Sequence, residues 1–155
     1  MPEQPTSTPK MVVARVKKAV DYVAKKLDIK YTIGVYPINS KIGDENTADT
    51  EEALLEVCRS NRGQQDKSAF LIFVNTKELS KLTANEIRRH VFHEICHIIT
   101  WEYTDEMENF LKKIEDGPLK EELLERMFNT REDVTYRMER TFGPHVLPNI
   151  DWTVP

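Results

Sequence analysis

Apolar positions along the chain change period several times, and each period predicts an element. From Lys10 to Leu27, apolar side chains recur at Val12, Val16, Ala19, Val20, Val23 and Leu27 with Lys and Asp between them. That spacing predicts an amphipathic helix with one buried stripe. The run Tyr31-Thr32-Ile33-Gly34-Val35-Tyr36, closed by Pro37, is β-branched and aromatic and predicts a strand. Residues 39–50 are polar and carry no period. Residues 53–59 are ambiguous. Asp49 with Glu52 resembles a helix cap, and Ala53, Leu54 and Leu55 favour helix. Yet Ser60-Asn61-Arg62-Gly63 makes a turn before the apolar run Ala69–Val74, and a hairpin would make both flanks strands. The turn and the following apolar run favour a strand at 53–59.

Thr83 followed by Glu86 is a capping box, which opens a helix running to about Trp101. A second helix, from about Asp105, should stop at Asp116-Gly117-Pro118. Leu119, Leu123, Met127, Val134, Met138 and Phe142 describe a further long helix, whole or broken near Asn129-Thr130 and ended by Gly143-Pro144. Beyond it, Val146, Leu147, Ile150 and Trp152 should anchor an extended tail over the core. Residues 1–9 form a flexible lead-in and residues 10–155 a single α+β domain, without repeats or low-complexity tracts.

A chain of 155 residues is long enough for one domain that buries about two thirds of its unfolded surface. With 22 basic against 26 acidic side chains the net charge is −4, which makes nucleic acid an improbable main partner. No run approaches the roughly 18 apolar residues of a membrane span. The polar, Pro-containing start Met1–Lys10 lacks the apolar core of a signal peptide. Cys58 and Cys96 are the only cysteines, too few for a disulfide framework, and each reads as a small core residue. These features point to a cytoplasmic protein.

The chemistry lies in His93-Glu94-Ile95-Cys96-His97, an HExxH motif inside the capped helix. Residues i and i+4 of a helix stand one above the other, so His93 and His97 can present both imidazoles to one metal ion. Zn2+ takes such nitrogen ligands and keeps one position open in catalytic sites. Glu94, beside His93, can reach a water on that ion and act as general base.

A third ligand is needed. The metzincin extension HExxHxxGxxH fails, because Thr100 and Tyr103 stand where Gly and His are required. A Glu from the later helix is the other option. On a helical wheel centred on Phe128, Glu132 lies at about 40° and Glu139 at about 20°, both at the edge of the apolar face. Glu132, nearer the middle of the helix, is the favoured ligand. Glu139 and His145 are the alternatives. His90 reads as a partly exposed helix residue near the site. Tyr103 and Tyr136 are candidate donors to a developing oxyanion. The strand Ala69–Val74 could lie above the metal and receive extended peptide by strand addition.

The segments Ala69–Asn75, Leu79–His97 and Arg131–Arg140 resemble the small gluzincin-like metallopeptidases of phage and prophage genomes. They are more distantly similar to the ImmA/IrrE peptidases and, around the motif, to SprT-like proteins. The resemblance rests on Val91-Phe92-His93-Glu94-Ile95-Cys96-His97-Ile98-Ile99 and Arg131-Glu132-Asp133-Val134-Thr135-Tyr136-Arg137-Met138-Glu139. It implies a zincin-like fold: a small twisted sheet packed with the motif helix, a ligand helix and an N-terminal helix. It also implies a zinc metallopeptidase with His93, His97 and Glu132 as metal ligands, Glu94 as the catalytic base, and a protein or peptide as substrate. Two other readings remain. One is a catalytically silent zinc-containing interaction module. The other is a DNA-associated protease of SprT type, for which Arg88, Arg89 and His90 would supply a small basic patch.

Overall fold

The computed structural model describes residues 8–38, 41–42, 45–46, 53–59 and 68–153. The turn at 60–63, the cap at 49–52 and the lead-in before Thr8 lie outside the described residues. Helix α1 spans Pro9–Lys26. The Thr8 side chain accepts a hydrogen bond from the Met11 N–H, and Pro9 occupies the first turn, where its missing N–H costs nothing. Its buried stripe is Val12, Val16, Ala19, Val20 and Val23, as the spacing requires.

Strand β1 is Ile33–Pro37, and a short antiparallel pair follows, β2 at Lys41–Ile42 and β3 at Glu45–Asn46. Strand β4 is Leu55–Arg59, which resolves the ambiguous segment as a strand, and β5 is Phe70–Val74. The main sheet has the order β1-β5-β4, with β1 parallel and β4 antiparallel to β5. All five residues of β5 are buried, because it is central and covered on both faces. Phe70, Ile72 and Val74 face the main core; Leu71 and Phe73 join Tyr36, Ile38 and Cys58 on the other face. Ala69–Val74 is therefore not positioned as a free edge: among the described residues the edges of this sheet are β1 and β4.

After a single turn, α2 (Thr76–Leu79), helix α3 runs from Ala84 to Lys112 and helix α4 from Pro118 to Val146. The capping box at the start of α3 is formed in both directions: the Thr83 hydroxyl accepts from the Glu86 N–H, and the Glu86 carboxylate accepts from the Thr83 N–H at 2.7 Å. The expected break near 101–105 does not occur. No Gly or Pro interrupts 84–112, and the Thr100 and Thr104 hydroxyls bond back to helix carbonyls. Helix α4 likewise passes Asn129-Thr130 and also Gly143-Pro144. Gly143 is there for close approach, since a Cβ on it would lie 2.6 Å from the Trp152 ring.

The main core joins α1, the inner face of the sheet, the first half of α3 and the tail residues Leu147 and Trp152. α3 thus lies beneath the sheet along its first half and pairs with α4 along its length. No helix of the described residues is long and apolar enough to cross a membrane.

Candidate metal centre

His93 and His97 point from α3 toward α4, their rings edge-to-face with centroids 4.9 Å apart. Glu132 comes from α4, with its Oε1 3.5 Å from His97 Nε2. One donor atom from each of the three lies within 4.8 Å of the others, a group able to hold a metal ion. Donors around a tetrahedral zinc are roughly 3.3 Å apart, given bond lengths near 2 Å, so small side-chain movements close the set. Two imidazole nitrogens and one carboxylate oxygen leave room for a fourth, exchangeable position.

Both imidazoles are oriented from behind. His93 Nδ1 lies 2.8 Å from the Glu139 carboxylate, and His97 Nδ1 lies 3.3 Å from the Thr135 hydroxyl. These bonds occupy the Nδ1 atoms and leave Nε2 of each ring for the metal. Glu139 and Thr135 are buried residues of α4, spaced one turn apart. Of the apolar positions read on α4, Phe128, Val134 and Phe142 are exposed, while Met127 is buried and Met138 packs against the core. The inward stripe runs through Met127, Thr135, Glu139 and Gly143, polar in the middle because it faces two histidines. Glu139, an alternative ligand by sequence, is a partner of His93 outside the three-residue group. Thr135 carries only a faint sequence signal, its place three residues after Glu132 on the inner side of the helix.

The environments of the histidines differ. The hydrogen bond to Glu139 raises the pKa of His93 above its usual 6.5, against burial, which acts the other way. Burial lowers that of His97 to about 4, against the attraction of Glu132. Burial also pushes the Glu94 carboxyl up to about 7. Glu94 nevertheless accepts a hydrogen bond from the Val57 N–H. The ladder explains why that donor is available. Asn75 N–H bonds to Leu54 O, so along β4 the backbones of Glu56 and Cys58 face β5 while those of Leu55, Val57 and Arg59 face outward.

The surrounding candidates separate clearly. His90 is half-buried, its pKa lowered mainly by burial. It joins His93, Tyr136 and Glu139 in lining a cavity of about 730 Å3. Tyr136 is half-exposed at this rim, and the Tyr103 side chain lies outside the described residues. His145 is exposed in the last turn of α4, outside the metal group. Cys96 is buried and Cys58 half-buried, both free, with thiols pushed up by burial to about 12 and about 11. Arg88 lies over the Tyr22 ring while Arg89 turns inward toward Glu139, so the basic residues 88–90 do not share one surface.

Compared with known proteins, the chain matches no family model, no curated protein and no solved structure, so its chemistry is argued from the site itself.

Proposed function

We propose that the protein is a zinc-dependent metallopeptidase of zincin-like layout. The observation that carries this reading is the position of Glu94. A site that only holds a metal needs ligands; here a partly buried carboxylate that is not part of the ligand group sits between the two histidines in sequence and is anchored to a strand backbone. Zn2+ suits the donor set of His93, His97 and Glu132, and when bound it supplies Lewis-acid polarisation of a carbonyl and an acidified water.

The chain's own residues do the rest. Glu94 accepts the proton of the attacking water on its carboxylate and returns it to the leaving amine nitrogen. A carboxyl held near pH 7 by burial is suited to both transfers. The Val57 N–H fixes one side of that carboxylate. Beyond that bond, the outward backbone groups of Leu55 and Arg59 and the Val57 carbonyl offer an extended peptide a strand to pair with, which would run it along α3. The substrate class is accordingly an unstructured or locally unfolded polypeptide segment.

The test is cleavage of a mixed peptide library by zinc-loaded protein, read by mass spectrometry, with Glu94→Gln as control. The expected result is cleavage by the wild type and a loss of about 10²- to 10⁴-fold in the variant at unchanged zinc content. No cleavage by the zinc-loaded wild type, or equal cleavage by Glu94→Gln, would overturn the reading.

A further inference from the structure

We propose that Arg89 is a positioning residue through which the C-terminal strap, residues 147–152, sets the orientation of His93. The inference rests on the metal-centre reading above and concerns how that centre is held.

The chain of contacts is continuous. The two oxygens of Glu139 are divided, Oε2 facing His93 Nδ1 at 2.8 Å and Oε1 facing Arg89 Nε at 3.7 Å. Both side chains of the ion pair are largely buried, at 18% and 10% exposed, so its attraction is weakly screened. The guanidinium is held in turn on its far side. Arg89 Nη1 donates to the Asp151 carbonyl at 3.2 Å, and the group lies over the Trp152 ring at 5.3 Å. An arginine on the solvent side of a helix would ordinarily stay hydrated. This one is turned inward between a strap carbonyl, an indole face and a buried carboxylate.

The strap has no helix or strand of its own after Val146; besides two backbone bonds, from Leu147 N–H to Gly143 O and from Ile150 N–H to Leu147 O, side-chain contacts set its position. Trp152 is fixed by its indole N–H donating to Leu147 O at 3.0 Å, by an edge contact with Phe92 and by the bare backbone of Gly143. Arg140, on α4, donates to the Trp152 carbonyl at 3.1 Å. Two arginines from two helices therefore bind consecutive strap carbonyls, and one of them also holds the carboxylate behind His93. Lifting the strap frees Arg89; a freed Arg89 leaves Glu139 without the charge that fixes its rotamer; the His93 ring then loses its orientation.

Two readouts test this, one of them independent of metal. In the zinc-free protein, ¹⁵N NMR of His93 should show its neutral form as the Nδ1–H tautomer. Arg89→Met and Trp152→Phe should each convert this to a tautomer mixture, and Arg89→Lys should restore it in part. Zinc affinity, measured by chelator competition, should fall about 10-fold for Arg89→Met, the low end of what losing a ligand's outer partner costs. Trp152→Phe should give a similar fall, and the double variant should be no worse than Arg89→Met. A wild-type tautomer and wild-type affinity in Arg89→Met would overturn the proposal. So would additive losses in the double variant, which would mean that strap and arginine act separately. A wild type that binds no zinc, yet holds the His93 tautomer through Arg89, would sink the metal centre and leave the positioning intact.

Discussion

His93 and His97 stand one turn apart on one helix face, yet they are held in opposite ways. Behind His93 is a buried carboxylate, itself held by an arginine. Behind His97 is a neutral hydroxyl. The first ring is made more basic than a free histidine; the second is kept neutral down to about pH 4. A charged hydrogen-bond partner strengthens the donor character of a ligand, whereas a hydroxyl mainly fixes its angle. The carboxylate behind His93 is 10% exposed and tied to the tail, whereas Glu132 beside His97 is 57% exposed; of the two rings it is His93 that lines the cavity. The site is therefore anchored through Glu139 and open to solvent at Glu132 and at the cavity beside His93.

Removing a ligand should have the largest effect. His97→Ala should abolish stoichiometric zinc binding, measured by elemental mass spectrometry of dialysed protein, while leaving the far-UV circular dichroism of the four helices unchanged. Glu139→Gln keeps a hydrogen-bonding group but removes the charge, and zinc affinity should drop about 10- to 100-fold. Thr135→Val removes only a neutral partner, so the loss should be smaller, about 5-fold for a bond worth about 1 kcal/mol. Equal effects of the last two variants would erase the asymmetry.

Acid sharpens the contrast in the metal-free protein. His93 has a raised folded pKa, so its contribution to stability is complete below the unfolded value of 6.5 and is lost as pH rises through the folded value. His97 has a lowered one, so its unfolded form takes up a proton first, and stability falls as pH drops from 6.5 toward about 4. Urea midpoints between pH 4 and 8 should therefore shift in opposite senses for His93→Gln and His97→Gln relative to wild type. Zinc loading at pH 6.5 should release its proton chiefly from His93, readable by calorimetry in buffers of different ionisation enthalpy.

Much of this was legible in the sequence where one signal acted alone. The stripe of α1, the capping box of α3 and the spacing of HExxH each had a single physical cause, and each appears in the structure. The residues that were misplaced carried two competing signals. Gly143-Pro144 reads as a helix stop, but the glycine serves Trp152, and the proline forfeits one bond, to the Arg140 carbonyl, only two residues before the helix ends at Val146. On α4, hydrophobicity points inward at Met127 and Met138, which the structure bears out, and also at Phe128, Val134 and Phe142, which are exposed; the histidines of α3 draw Thr135 and Glu139 inward, since buried imidazoles need polar partners. The edge position of β4 could not be read from 53–59 at all, because edge or centre is decided by strand order, which local sequence does not encode.

The most direct test is the zinc content and affinity of the purified wild type beside Glu132→Ala and Glu139→Ala. About one zinc per chain is expected in the wild type, none in Glu132→Ala after dialysis, and zinc retained at lower affinity in Glu139→Ala. Zinc kept by Glu132→Ala and lost by Glu139→Ala would contradict this, making Glu139 the ligand and leaving His93 without its partner.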